Sequence, residues 1–297
     1  PNEENPLRSK FSFLLQDLAP SNGWYQRWLF HEDEECRATL STMAKLHAYF
    51  WNSSSFARDH PQAAAELEHA IWPSGSYVQP SAQGQDQWQR VADEWKVKRE
   101  RFRDVLGEEP YWDSLGERLQ SIADECGRLA HPFAPSTSCG SYDGATTAAP
   151  LAKQYQQFRT WTHGDPKQAN WFFRRGGDDS MTTTPSATTK TTLSSLEVGL
   201  IDFQWCGFGL AATDVAHMIT SAIHSDRLVD GGEEALLRYY YDELQHHLVK
   251  FGAFRTATEA LRRYSYETFL DHYEIAVLDI CRLIIAYTSD RFDEAVT

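Results

Sequence analysis

Side chains that can hold a metal ion are concentrated in one stretch of this 297-residue chain, from Trp161 to Gln204. The stretch reads WTHGDPKQANWFF, then a polar insert, then LEVGLIDFQ. Asp165, Asn170 and Asp202 lie at predicted tight turns beside short apolar runs, which is how a chain presents oxygen ligands without burying them unpaired. This is the layout of an active site.

The order of these residues is what phosphoryl transfer requires. Asp165 is followed five residues later by Asn170, then by an apolar strand, a predicted hairpin and Asp202. In that reaction one carboxylate orients the attacking hydroxyl, while an amide and a second carboxylate hold Mg²⁺ against the phosphates. A single Asp or Asn in a turn is usually turn chemistry, so the ordered set carries the prediction. A metal-dependent phosphoesterase is an alternative, but two metals would need more ligands than His163 adds.

The composition indicates a packed globular protein that must position these residues. Hydrophobic residues make up 41% of the chain and aromatic residues 13%, and a length of 297 residues suits one large domain or two smaller ones. The negative mean hydropathy argues against a membrane protein. The most apolar late segment, AVLDICRLIIAY, contains Asp279 and Arg282 and is too short to span a bilayer, so it predicts a core helix.

Charge and cysteine usage narrow the partners and the compartment. A net charge of −14 disfavours nucleic acid, because phosphate binding needs a Lys/Arg surface. The five cysteines are widely spread without a CxxC pair, which predicts reduced thiols and a cytoplasmic location. They are Cys36, Cys126, Cys139, Cys206 and Cys281.

Hydrophobic periodicity predicts a mostly helical α+β fold with a few short strands. An apolar run over 11–15 predicts a buried strand, and residues 33–51 form an amphipathic helix with acidic residues in its first turn. His47 on that helix is interpreted as a satisfied core histidine. The Pro/Gly/Ser-rich segment 72–84 is predicted to be a loop. Further helices are predicted over 62–71, 85–106, 111–129, from about 212, 232–250 and 256–287.

Two low-complexity patches are predicted to be flexible surface loops, over 135–150 and 174–195. The second patch is rich in Thr and Ser and separates two apolar segments, 171–173 and 198–201. The simplest geometry is a β-hairpin with an enlarged tip. The sequence leaves the purpose of this insert open, as it does the oligomeric state.

The motifs resemble those of a known superfamily. His163-Gly164-Asp165 with Asn170, the LIDFQ run at 200–204, and Asp214 in ATDVAH closely resemble the aminoglycoside phosphotransferase and choline kinase-like superfamily, most of all its CHK (ecdysteroid kinase-like) branch. The resemblance covers about residues 11–219. It implies a protein kinase-like fold and an ATP- and Mg²⁺-dependent small-molecule kinase.

The resemblance also implies a role for each motif residue. Asp165 would be the catalytic base, and Asn170 and Asp202 the magnesium ligands. Lys167 is placed where it would contact the γ-phosphate, although many small-molecule kinases lack this lysine. Asp214 would brace the catalytic loop through backbone N–H groups.

Two further roles follow from the resemblance. His163 would be structural, fixing the loop beside Asp202. The inter-lobe hinge would fall at Gln16, Asp17 and Leu18, where backbone groups receive the adenine of ATP.

The placement of the hinge sets the expected domain organisation. Residues 1–20 would be a remnant of the N-lobe with the hinge, and residues 21–297 the C-lobe, with the N-lobe largely absent. No GxxxxGK[ST] sequence replaces the missing phosphate grip. The chain would be either a fragment of a longer kinase or a catalytically weak, pseudokinase-like binding module.

The expected acceptor is a small-molecule alcohol, of a choline-, steroid- or aminoglycoside-like kind. Four tryptophans, if they met, would cage a quaternary ammonium group, but core packing is the favoured interpretation of these residues. They are Trp72, Trp88, Trp95 and Trp112.

Overall fold

The computed structural model describes residues 16–52, 54–79, 86–134, 151–176 and 196–287. Helices dominate this part of the chain, as predicted, and residues 151–155 are helical as well. The named helices are α1 Asp33–Tyr49, α2 Ser55–Asp59, α3 Pro61–Ala70, α4 Asp86–Arg101, α5 Arg103–Leu106, α6 Leu115–Ala130, α7 Ala211–Ala222, α8 Gly232–Lys250, α9 Ala257–Arg263 and α10 Tyr266–Tyr287.

The strands form two antiparallel pairs. They are β1 Arg159–Thr162, β2 Trp171–Arg175, β3 Leu196–Leu200 and β4 Gly207–Leu210. β1 pairs with β4, and β2 pairs with β3 in a register that sets Trp171 opposite Leu200. The predicted hairpin is therefore confirmed. Its tip, the strand predicted over 11–15 and the patch at 135–150 lie outside the described residues.

The core lies where α1, α7, α8 and α10 meet. α1 packs along α8, and α10 packs along α7, α4 and α6. The spacing of Leu40, Met43 and Ala44 on α1 places them on one face of the helix, and all three are at most 1% exposed. Tyr240 of α8 and Phe269 of α10 are fully buried in the same core. The apolar periodicity thus predicts correctly which face of α1 is buried.

Two predicted helices are broken in the structure. The helix predicted over 85–106 ends at Arg101, and α5 restarts after Phe102. The helix predicted over 256–287 is α9 and α10, because the Ser265 hydroxyl accepts the Thr268 N–H and starts a new helix. Hydrophobic periodicity continues across such breaks and does not reveal them.

Three of the four tryptophans, Trp72, Trp95 and Trp112, make ring contacts in two separate places. Trp95 packs against Trp112 with ring centroids 6.1 Å apart, whereas Trp72 stacks on Trp205 at 5.8 Å. These are packing contacts of two different groups.

The described cysteines are all free, while Cys139 lies outside the described residues. No helix in the described part of the chain is long and apolar enough to cross a membrane.

The segment 72–79, part of the loop predicted over 72–84, has no regular strand or helix but is buried over most of residues 74–79. Trp72 forms a parallel bridge with Gly207, and the Gly75 N–H donates to the Phe208 carbonyl at 2.9 Å. The segment thereby extends the β1–β4 pair by one irregular strand. A Cβ on Gly75 would lie 2.5 Å from the Gly207 nitrogen and would also overlap the Thr162 hydroxyl. Glycine is needed here because two backbones touch.

We therefore expect Gly75→Ala to lower the free energy of unfolding by about 3 kcal/mol, the upper end of the usual cost of overpacking, because backbone atoms of Gly207 are among those in the way. The matched control is Gly107→Ala, because Gly107 has no neighbour within 4 Å of an added Cβ but has a φ of +75°. That control isolates the backbone cost, about 1 kcal/mol. Urea denaturation measures both variants. Equal losses would show that the segment 72–79 does not pack against β4 as described.

Candidate active site

The predicted catalytic loop connects β1 to β2. β1 is fixed from behind, since the Thr160 hydroxyl donates to the His47 carbonyl at 2.6 Å. Asp165 follows β1 and is 3% exposed. A short 3-10 turn, Gln168–Asn170, leads into β2, and the Asn170 side-chain amide donates to the Asp165 carbonyl at 2.7 Å. The two predicted site residues of this loop are therefore held together by a direct contact.

Asp214 anchors the loop from the first turn of α7. Its two carboxylate oxygens accept the backbone N–H groups of His163 at 2.7 Å and Gly164 at 2.9 Å. Gly164 has a φ of +84°, and a Cβ there would overlap the Trp205 carbonyl. A glycine is thus required at the position where the carboxylate holds the chain. These are the backbone contacts that the resemblance implies for Asp214.

The negative charge of Asp214 is stabilised inside the protein. Burial alone would raise the pKa of Asp214, but the hydrogen bond and charge of His47, with the Gly164 N–H, hold the pKa below its ordinary value. His47 Nε2 lies 3.2 Å from the Asp214 carboxylate, and its Nδ1 lies 2.7 Å from the Tyr240 hydroxyl. His47 is a fully buried histidine with both ring nitrogens partnered, as expected of a core residue.

His163 connects the loop to the segment that carries Asp202. Its Nε2 lies 2.8 Å from the Ile201 carbonyl, and its Nδ1 accepts the Asp165 N–H at 3.3 Å. The Phe203 ring packs edge-on against the imidazole at 4.8 Å. His163 therefore lies beside Asp202 and contacts Ile201 and Phe203, the residues on either side of Asp202.

Asn170 and Asp202 lie at the same end of the β2–β3 hairpin. The Ile201 N–H donates to the Asn170 carbonyl at 3.1 Å, just beyond the Trp171–Leu200 pair. Asp202 is exposed and adopts the left-handed conformation, with φ 66° and ψ 59°. Such strain in a residue other than glycine is concentrated at functional sites.

The donors of this pair fit a magnesium ion. The Asn170 amide nitrogen is used within the loop, which leaves its oxygen and the Asp202 carboxylate as hard ligands. Mg²⁺ usually takes one or two protein ligands together with substrate phosphates and water. The described residues contain no group of three or more His, Cys, Asp or Glu that could hold a metal ion.

Lys167 lies beside the predicted base. Its Nζ is 2.6 Å from Asp165 Oδ2, and its side chain is 41% exposed while that of Asp165 is 4% exposed. The lysine thus reaches from solvent to the buried carboxylate. Its contact with a γ-phosphate stays a prediction.

The predicted hinge packs against the β2–β3 hairpin. A Cβ on Gly199 would lie 3.2 Å from a Leu18 methyl group, so Leu18 lies against β3. Asp17 accepts the Ala19 N–H and the Asn22 side-chain amide, both at 3.0 Å, and so closes a local turn. Adenine binding by the backbone of Gln16, Asp17 and Leu18 stays a prediction.

The sequence analysis assigned no role to His217, which the structure brings next to Asp165. His217 Nε2 lies 3.5 Å from Asp165 Oδ1. The signal was available in the ATDVAH motif, because residues three apart on a helix share a face. Asp214 and His217 therefore both face the catalytic loop from α7.

A loop on a buried aspartate, followed by a hairpin that ends in an exposed aspartate, is the arrangement expected of a kinase-like phosphotransferase. The profile of the Ecdysteroid kinase-like family matches residues 8–253, and the chain belongs to this family, within the CHK-like kinase superfamily. The resemblance to the CHK branch is confirmed. Neither a curated protein nor a solved structure gives a significant match.

We expect Asp214→Asn to lower the free energy of unfolding by about 3 kcal/mol, because an amide cannot accept every bond that the carboxylate accepts. A depressed pKa in the folded protein contributes stability that is present above the unfolded pKa and is lost as the pH falls. The difference between parent and variant should therefore hold above about pH 4 and narrow below it.

Urea titrations between pH 3 and pH 7 measure this difference. The matched control is Asp93→Asn, since the Asp93 side chain is 84% exposed and its only described pairing is with Lys96 on the same helix. The control should differ from the parent by less than about 0.5 kcal/mol. A difference for Asp214→Asn that did not depend on pH would contradict the role of its charge.

Proposed function

We propose that this protein transfers the γ-phosphoryl group of ATP to a hydroxyl group of a small molecule. The observation that carries the proposal is a pair of hydrogen bonds that holds three residues together. The Asn170 side-chain amide donates to the Asp165 carbonyl, and the Asn170 carbonyl accepts the N–H of Ile201, the residue before Asp202. Phosphoryl transfer depends mainly on such positioning and on charge neutralisation.

In the proposed reaction Asp165 accepts the proton of the substrate hydroxyl. The hydroxyl oxygen forms a bond to the γ-phosphorus, and the bond from that phosphorus to the β–γ bridging oxygen breaks. ADP leaves with the electron pair. Asn170 and Asp202 would hold Mg²⁺, which neutralises phosphate charge when bound. Lys167, whose ammonium group lies at Asp165 Oδ2, would contact the γ-phosphate from that position.

We propose the same division of the chain as the resemblance implies. Residues 21–297 would form the helical lobe, and the backbone of Gln16, Asp17 and Leu18 would receive adenine. The contact of Leu18 with Gly199 of β3 supports this placement, since Gly199 lies near the end of the hairpin that carries Asn170 and Asp202. Nucleotide base and magnesium would then lie along one structural element.

The acceptor has room beside Asp202. An open cleft of about 380 Å³ has a mixed polar and apolar lining, and it takes in Phe203 and Gln204, which directly follow Asp202. Its Trp72 and Phe203 are 47% and 40% exposed. This mixed lining does not select among the acceptor classes, so choline-, steroid- and aminoglycoside-like alcohols all belong in the panel. We place the reaction in the cytoplasm, which the free cysteines support.

We expect ATP consumption with at least one acceptor from a panel of choline, ethanolamine, a steroid alcohol and an aminoglycoside. Asp165→Ala should lower kcat about 10²–10⁴-fold, because it removes the proton acceptor. Asp93→Ala is the matched control and should leave kcat unchanged. If Asp165→Ala consumed ATP as fast as the parent with every acceptor, the assignment of the base would be wrong.

Calorimetric titration with Mg-ATP separates the two aspartates. Binding should be lost in Asp202→Ala, which removes a metal ligand, and kept in Asp165→Ala, which removes only the base. Binding by the parent without turnover of any acceptor would favour the pseudokinase-like binding module. Equal binding by all three proteins would contradict the metal site.

A further inference from the structure

His217 faces the predicted catalytic base from a different structural element. It lies in the buried helix α7, three residues after Asp214, and its side chain is 9% exposed. Its Nε2 is 3.5 Å from Asp165 Oδ1, which is longer than a formed N–H···O hydrogen bond. Contacts of this kind commonly shorten once the substrate is bound. On the other side of the imidazole, the Tyr77 ring packs with its centroid 5.2 Å away.

The surroundings keep this imidazole neutral. Burial lowers the pKa of His217 to about 4, although the carboxylates of Asp165 and Asp214 act in the opposite direction. Lys167 and His163 add to the lowering. A neutral imidazole has one N–H to donate and brings no positive charge. It can therefore orient a carboxylate without the loss of basicity that an ion pair would cause.

Asp165 needs such a second contact. The torsion that turns a carboxylate has broad minima, so one hydrogen bond does not fix its plane. The bond that the structure gives to Oδ2 comes from Lys167, whose side chain is 41% exposed. His217, by contrast, approaches Oδ1 from a helix whose residues 211–219 are all buried. Oδ1 is thus approached by the side chain of a buried helix, and Oδ2 by a partly exposed lysine.

We infer that His217 is a positioning residue for Asp165, whose Nε2–H holds Oδ1 while Lys167 occupies Oδ2. The carboxylate plane is then fixed, and its remaining lone pairs are presented to the acceptor hydroxyl. The inference rests on the proposed function. A base displaced by about 1 Å commonly costs about 10²-fold in rate, which sets the size of the effect.

The test compares three variants of the full chain with the acceptor that the panel identifies. His217→Phe keeps a ring but has no N–H, and it should lower kcat about 10–100-fold while the KM for ATP stays within about twofold. His217→Gln carries an amide nitrogen at the position of Nε2 and should recover most of the loss. His272→Phe is the matched control, since His272 is also buried and its pKa is also lowered to about 4, but its ring contacts are Tyr155, Phe158 and Tyr264.

Several results would overturn the inference. They are a His217→Phe protein as fast as the parent, a His217→Gln protein as slow as His217→Phe, or an equal loss in His272→Phe. Should His217→Phe not fold, His217→Asn replaces it, because its amide nitrogen takes the place of Nδ1 instead. Equal activity of the Gln and Asn variants then contradicts the inference. If Asp165→Ala retains the parent rate, the proposed function itself is wrong. If Asp165→Ala loses activity but His217→Phe does not, only the inference about His217 is wrong.

Discussion

The site depends on one buried carboxylate that holds two backbone N–H groups. Asp214 fixes His163 and Gly164, and these in turn fix the position of Asp165 and the contact with Ile201. A charge inside a protein is tolerated only when it is fully hydrogen-bonded. His47 of α1 makes a further hydrogen bond to Asp214 of α7 and another to Tyr240 of α8. Residues of three helices thus help to hold one loop.

Close packing of backbone segments also limits where β1 and the loop that follows it can lie. Gly75, Gly164 and Gly207 lie where chain segments approach too closely for a Cβ atom. β1 pairs with β4, and its Thr160 and Thr162 hydroxyls donate to carbonyls of His47 in α1 and Gly75 in the segment 72–79. The loop starts from a strand that has no room to shift, which is the rigidity that phosphoryl transfer demands of its base and ligands.

Local patterns predicted the parts of this site, and tertiary contacts decided the rest. Asp165, Asn170 and Asp202 belong to short motifs whose order is visible in the chain, and the periodicity of α1 marks its buried face. β1 and β4 are four residues each, and the GFGL sequence of β4 lacks β-branched residues. The segment 72–79 is buried only because β4 pairs with it, and His217 becomes relevant only once α7 is placed against the loop. The pairing of the segment 72–79 with β4 has no local signal, and the ATDVAH motif shows only that His217 shares a helix face with Asp214.

The hairpin that carries the proposed metal ligands also separates them from the Thr- and Ser-rich connection between β2 and β3. Asn170 and Asp202 flank one end of it, while the Thr- and Ser-rich connection joins β2 and β3 at the opposite end, beyond Arg175 and Leu196. Five paired positions lie between. Evolution can therefore lengthen, shorten or recompose that connection without moving either ligand, and an experimenter can place an affinity tag or fluorophore there on the same grounds.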